Sequence, residues 1–547
     1  MNSVRRLIAS ILLVSAGAWA QPPKLVVIIV LDQFPYEQLS RFSPYFGSQG
    51  INSLVRNGAS FTNARYDYAF TMTAPGHAAI MSGAYGHLNG IIANRWWDRA
   101  NKQTVGAVDD STVHILGRGG MGHSPRNLRT YTLGDMLRMH TNFRSKVISI
   151  SHKDRSAILM GGKLGMAYWM DDSVFLTSGY YRGSEPRWMQ NFNHSSPMRQ
   201  YFGRAWTEVL PAVASRICDD DDVPYEQDLN HLGRMFPHMI TGNDPRNLTP
   251  SFYDALYDSP FMTEVLLAAA RSVFAAETLG GRGVSDLLCI SVSTTDGIGH
   301  DFGPQSHEVF DDAVRTDSMI GGFLNFLDSR VGLENCLVAL TSDHGIAPIP
   351  EYLKKHGLTT DAGRVSSSDL GKIASSALDR RFGSPSGGGS WIERVLDTEV
   401  YINRDAVAQK GISLSLAQQV VRDAISAHPQ VAAGFTADEI VTGTASGPFA
   451  QRVEHSFLPE RSGDVLFVLK PYYILSGDSS GASHGSPYDY DTHVPLIISG
   501  RAIKPGRYAA EVSPVDLAPT IAEILGVEFP PGREGRVLGM ALKEPAR

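Results

Sequence analysis

The sequence predicts an α/β fold: a three-layer core around a mainly parallel central sheet, carrying two insertions. Three observations lead there. The runs "KLVVIIVLD", "LLCISVSTTDGIGH" and "CLVALTSDHG" are continuously apolar and then stop at polar residues, as strands buried on both faces do. Between the second and third lies "EVFDDAVRTDSMIGGFLNFLDSR", whose Phe310, Val314, Phe323, Leu324 and Leu327 are spaced roughly as one helix face. Strand, helix, strand is a βαβ unit, which favours parallel strands.

In chain order, the opening "MNSVRRLIASILLVSAGAWAQPP" reads as an export signal. Arg5 and Arg6 form its charged part, 7–16 its apolar part, and Ala18-Trp19-Ala20 its cleavage site. Residues 1–20 are assigned to the signal and 21–547 to an exported catalytic chain, expected in the periplasm. The apolar run is too short to span a bilayer, and no later run is long enough. The first strand then ends at Asp32. In "FTMTAPGHAAIMSG", Pro75 suits the first turn of a helix, which 78–81 can continue. Thr73 falls at its N-terminus, among unpaired backbone donors and at the positive end of the dipole. A capping threonine would explain that position as well as a nucleophile would.

The Trp- and Tyr-rich stretch of about 161–260 reads as a lid insertion, and about 348–480 as a second α/β insertion in which "SPSGGGS" is a flexible loop. Both are expected to wall the substrate cleft. Near the C-terminus Ser513, Pro514 and Asp516 mark a helix start and Gly526 its stop.

At 547 residues, 43% hydrophobic and 19% charged, the chain can bury a large core and exceeds one ordinary domain. A formal charge of −7 disfavours nucleic acid as a bulk partner, which wants a basic face. Three cysteines cannot all pair with one another, so a disulfide scaffold is excluded; Cys289 and Cys336 lie in strand-like runs and read as buried thiols.

Ligands of parallel sheets bind beyond the carboxyl ends of the strands, so Asp32, Asp296 and Asp343 should gather on one edge. A single strand-end aspartate is usually a turn residue. Three of them, joined by His300 and His344, suit zinc. The loop "GASHGSPYDYDTHVPLIISG" offers His484 and His493; His484, in the Gly- and Ser-rich part, is taken as a ligand, and His493 as a residue that either supports the ligands or is structural. Asp32, Asp343 and His344 could then hold one metal, and Asp296, His300 and His484 a second. Three protein ligands and an open position is the catalytic zinc pattern. The acidic run 219–222 reads as a solvated loop, with calcium a secondary candidate.

Taken as an ordered set, "VVIIVLDQF", "FTMTAPGHAAIMSG", "GIIANRWWD", "SHKDRSAI", "TTDGIGHDFGP", "TSDHG", "SHGSPYDYDTHVP" and "SPVDLAPTIAEILG" resemble the alkaline phosphatase superfamily, in its exported, PafA-like, threonine-using branch. The resemblance implies an alkaline-phosphatase-like core and hydrolysis of phosphate monoesters through a phosphothreonine. It implies that Thr73 is the nucleophile, bridging two zinc ions held by the six ligands above. It also implies that Asn94, Lys153 and Arg155 hold the phosphoryl oxygens. The sulfatase branch fits less well, because Thr73-Ala74-Pro75-Gly76-His77 lacks both the Cys or Ser and the Arg of that motif. His77 is expected to pack the turn after Thr73.

The chemistry is coherent. A hydroxyl is a poor nucleophile at neutral pH, and a metal on its oxygen favours the alkoxide. Counted with two zinc ions, the implied site is net positive, which a dianionic monoester would balance. Arg155 can grip two oxygens as a fork, and Lys153 acts as a point charge. Two rivals remain at this level: a phosphodiesterase or phosphonate hydrolase on the same metal core, and a non-enzymatic zinc- or phosphate-binding protein.

Overall fold

The computed structural model describes residues 21–544; the export signal read over 1–20 lies outside them. Strand β1 (Leu25–Leu31) is buried throughout. Successive side chains of a strand point to opposite faces. Leu25, Val27, Ile29 and Leu31 therefore enter one apolar cluster, shared with the helices Pro260–Glu277 and His307–Val331. Val26, Ile28 and Val30 enter another, with Ile80 and Met81 of the helix Thr73–Ser82 and Ile521 and Leu525 of the helix Leu517–Leu525. Helices on both faces of one sheet make the predicted three layers.

The other strands of this sheet are β2 (Gly58–Phe61), β3 (Val147–Ser151), β4 (Met166–Asp171), β5 (Val174–Leu176), β6 (Asp286–Val292), β7 (Cys336–Thr341), β8 (Leu496–Gly500) and β9 (Gly506–Tyr508). Their order is β9-β2-β8-β7-β1-β6-β3-β4-β5. From β7 to β4 all neighbours are parallel, as expected. β8 runs antiparallel to both β7 and β2, with Leu340 opposite Ile497 and Phe61 opposite Leu496. An antiparallel strand starts at the edge where its parallel neighbours end. The loop before β8 is thereby delivered to the carboxyl edge of β1, β6 and β7.

The 348–480 stretch builds its own four-stranded antiparallel sheet, from Ile392–Leu396, Glu399–Ile402, Val465–Leu469 and Val431–Thr436, under the helices Ser367–Phe382 and Leu414–Ser426. The 161–260 stretch differs from a free-standing lid at its start. There β4 and β5 extend the central sheet, with Tyr168 and Trp169 buried, so part of its aromatic content belongs to core strands. The C-terminal helix forms where its signals lie, with a capping box between Ser513 and Asp516 and Gly526 closing it at φ 66°. The cysteines are all free, and Cys289 and Cys336 are buried. No helix among the described residues is long and apolar enough to cross a membrane.

Candidate active site

The three aspartates do gather on one edge. Asp32 directly follows β1, and Asp343 stands two residues beyond β7. Asp296 lies in the first turn of the helix Thr294–Phe302, and His300 sits one turn further on the same face. His484 comes from the loop ahead of β8.

All three histidines share one arrangement. Nδ1 of His300 is 2.9 Å from the Ala482 carbonyl, Nδ1 of His344 is 2.9 Å from that of Gly345, and Nδ1 of His484 is 2.7 Å from that of Thr71. A carbonyl only accepts, so each Nδ1 carries a proton and each Nε2 of the neutral ring turns a lone pair inward. Those Nε2 atoms face carboxylates at 3.3 Å (His300 to Asp296), 3.8 Å (His484 to Asp296) and 3.4 Å (His344 to Asp32). The His344 and His484 rings stack with centroids 3.7 Å apart, joining the two groups.

The donor set fits metal ions on a specific observation. Asp32 Oδ1 and His344 Nε2 are buried and make no hydrogen bond, and Asp343 Oδ2 faces only the His77 ring at 3.1 Å beside the His344 ring. Asp343 Oδ2 lies 3.5 Å from His344 Nε2. Orphaned buried polar atoms are costly, and three convergent lone pairs suit a cation. By spacing, Asp296, His300 and His484 form one group as expected, while Asp32 and His344 group with Asp296, which reaches both. Asp343, two residues beyond β7, stands beside the Asp32–His344 side.

Charge follows the same layout. Burial, with the Asp343 carboxylate beside it, raises the pKa of Asp32 well above the usual range. Burial also opposes ionisation of Asp296, but Lys153, His300 and His484 outweigh it and hold that carboxyl well below. Asp343 is held low by His344 and His77 against the same burial. Burial pushes the pKa values of His344 and His484 below the usual imidazole range, which favours lone pairs free to bind a cation.

The Lys153 ammonium stands 2.7 Å from Asp32 Oδ2 and 2.5 Å from Asp296 Oδ2, between the two groups. Arg155 lies beside Asp154, which His123 contacts at 2.6 Å, and its Nε is buried without a partner. Thr73 is 1% exposed and is the first residue of its helix. Met72 holds the cap position, so the Thr73 hydroxyl is not the cap. Asn94 instead accepts the Ala74 N–H through Oδ1 at 2.8 Å, which ties it to the first turn of the Thr73 helix. Gly76 explains itself here: a Cβ would come within 2.4 Å of the Asp343 carbonyl oxygen. Only glycine lets the Thr73 helix approach β7 so closely.

His77 is structural as expected, its ring bonded to the Thr73 carbonyl and to Ser291 Oγ, both at 2.8 Å. His493 bonds the Thr62 carbonyl and stacks on Tyr36, away from the ligands. Calcium finds no support at 219–222. Asp219 and Asp220 share Lys355 at 3.0 and 2.8 Å, and Asp222 pairs with Arg234 at 3.1 Å, so these carboxylates point to basic side chains instead of converging on one point.

Two residues that the sequence reading missed hold the site together. Gln33 donates Nε2 to Asp296 Oδ1 at 2.7 Å and its backbone N–H to Asp343 Oδ1 at 3.2 Å, from a left-handed backbone at φ 63°. Its place directly after Asp32 was the available signal. Asp491 is fully buried and accepts from Gly485 N, Ser486 N and Ser486 Oγ at 3.0, 2.8 and 2.6 Å, fixing the loop that carries His484.

A family model described as Type I phosphodiesterase / nucleotide pyrophosphatase matches residues 26–489. The chain is 31% identical to alkaline phosphatase PafA of Elizabethkingia meningoseptica over 98% of both chains. The crystal structure of wild-type PafA superposes with TM-score 0.89 at 30% identity, covering 96% of this chain and 100% of that one. The chain belongs to the alkaline phosphatase superfamily, in its PafA-like branch. As a PafA-like enzyme it is also 32% identical to alkaline phosphatase PhoV of Synechococcus elongatus, over 95% of this chain and 93% of that protein. A PafA variant with threonine replaced by serine and with asparagine, lysine and arginine replaced by alanine superposes with TM-score 0.88 at 30% identity, covering 96% of this chain and 100% of that one.

Proposed function

We propose that the protein is an exported phosphomonoesterase that works through a phosphothreonine at Thr73. Two zinc ions would be held by Asp32, Asp343 and His344 and by Asp296, His300 and His484. The convergence of these side chains, with the helix that begins at buried Thr73 packed against Asp343 through Gly76, supports the reading. The PafA variant adds support. Its substituted residue types are those of Thr73, Asn94, Lys153 and Arg155 in the same order, and its threonine and asparagine stand 21 positions apart, as Thr73 and Asn94 do.

Zinc bound there would favour the threonine alkoxide and offset the charge developing on the leaving oxygen. Thr73 Oγ1, having lost its proton, forms a bond to phosphorus as the bond to the ester oxygen breaks. The departing alkoxide takes a proton and leaves as the alcohol. Water then attacks the phosphothreonine, releasing phosphate and restoring the hydroxyl. Asn94 and Arg155 hold the phosphoryl oxygens in line, and Lys153 supplies positive charge that a dianion uses better than a monoanion.

The family model's description includes phosphodiesterases. The Lys153–Arg155 pair and the two phosphatase relatives weigh towards monoesters. Turnover of p-nitrophenyl phosphate with and without chelator, beside bis-p-nitrophenyl phosphate, tests the reading. Chelator-sensitive turnover with monoester preferred is expected; diester preference, or bound zinc without turnover, would overturn it.

A further inference from the structure

The second insertion sends one hairpin back to the site. Its strands Ile392–Leu396 and Glu399–Ile402 close with Leu396 opposite Glu399, which leaves Asp397 and Thr398 as a two-residue turn. Asp397 takes a left-handed backbone at φ 50°, the conformation such turns demand and one that Asp and Asn tolerate best after Gly. The hairpin is pinned to the strand that follows Asn94. Trp97 packs on Leu396 and Tyr401, and its indole N–H donates to Glu393 Oε2 at 2.7 Å.

This anchoring sets Asp397 on the wall of two cavities, each of which also reaches residues of the site. One, of about 410 Å³, is bounded by Asp397 with Asn94, Arg95, Asp154 and Arg155. The other, of about 90 Å³, is bounded by Asp397 with Met72, His484, Phe467 and Tyr490. The remaining acids of the first cavity are occupied: Asp109 accepts the Gly106 N–H at 2.6 Å, and Asp154 is contacted by His123. Of the three, Asp397 has no hydrogen bond and no ion pair among the described residues; burial raises its pKa, and the Arg95 charge only partly opposes that. Beside it, Thr398 Oγ1 is buried and unpartnered. A half-buried carboxylate without a partner is costly, and it is held here by a turn in a sparsely populated backbone region.

Resting on the phosphomonoesterase reading, we propose that Asp397 is a specificity residue for the leaving alcohol. It accepts a hydrogen bond from a donor group, ammonium or hydroxyl, carried by that alcohol. Substrates with such a donor a few atoms from the ester oxygen would be preferred over alkyl esters of equal size.

The test compares kcat/KM for 2-aminoethyl phosphate with n-propyl phosphate, and for 3-hydroxypropyl phosphate with n-butyl phosphate. Wild type is set against Asp397→Gly, which keeps the turn because glycine accepts a positive φ. Intrinsic ester reactivity cancels between proteins. The donor-over-alkyl ratio should fall about tenfold or more in Asp397→Gly for at least one pair. Asp397→Asn, which suits the turn equally, distinguishes the donors. It should keep a hydroxyl preference and lose an ammonium preference. Unchanged ratios in both pairs, equal losses on donor and alkyl esters, or a wild type without any donor preference would overturn the assignment. Should wild type also fail on p-nitrophenyl phosphate, the phosphomonoesterase reading falls with it.

Discussion

Lys153 donates to Asp296 across 2.5 Å while the same ammonium meets Asp32 at 2.7 Å. One cation thus ties together a carboxylate from each ligand group, and Asp296 and Asp32 in turn hold its own pKa high against burial. Lys153→Ala with Arg155→Ala removes two charges that a dianionic ester uses more than a monoanionic one. The monoester-to-diester ratio of kcat/KM should fall by roughly 10²-fold. An unchanged ratio would show that selectivity lies elsewhere.

Thr73→Ala should abolish phosphate release, by at least about 10³-fold in kcat, because the bond-forming oxygen is gone. Zinc content measured on the purified variant should stay at the wild-type level, since the six ligands remain. Turnover near that of wild type would remove Thr73 from its role.

Asp491→Ala should weaken metal retention about 10–100-fold, the usual cost of losing a residue that orients a ligand. Its carboxylate holds Gly485 and Ser486, and through them His484. Titration with a zinc chelator reads this directly, and excess zinc should restore much of the activity. Metal affinity equal to that of wild type would mean that the loop holds its shape without Asp491.

Glu399→Gln should stabilise the protein at pH 8 and leave it nearly unchanged at pH 4. Burial lifts the Glu399 pKa to about 7 from an ordinary 4.5. The folded protein therefore keeps a proton that the unfolded chain releases near pH 4.5. Stability contributed by that proton is present in acid and is lost as pH rises through 7. Glutamine cannot ionise, yet it can accept both bonds that Oε2 now takes from Tyr401 OH and Gly463 N–H, at 2.7 and 2.8 Å. Thermal melts should show Tm at pH 8 raised by several degrees, about 2–4 °C per kcal/mol. A melting point that does not change at pH 8 would refute the burial argument.

Much of the layered core was legible because β1, β6 and β7 advertise themselves as uninterrupted apolar runs that end in acids. The same runs located Asp32, Asp296 and Asp343, and helical spacing joined Asp296 to His300. His484 was reachable only through its glycine-rich loop, since nothing local says that β8 pairs with β7. Long-range pairing is also why β4 and β5 were read as part of a lid: their aromatics look the same in a strand and in a surface cover. Gln33 and Asp491 went unnoticed because their work is hydrogen bonding to groups that only the fold brings near. Asp397 gave no signal at all, being one acid in an ordinary "LDTE" turn until the insertion folds back.

The placement of β8 bears on how the enzyme is made. Residues 496–500 lie between residues 336–341 and 58–61, so the sheet stays open between β7 and β2 until this late segment has been delivered. A nascent chain halted before that point would expose two bare strand edges and could not yet shape its His484 loop. Turnover thus waits on a strand far along the sequence, and products truncated before it should emerge as inert, aggregation-prone material.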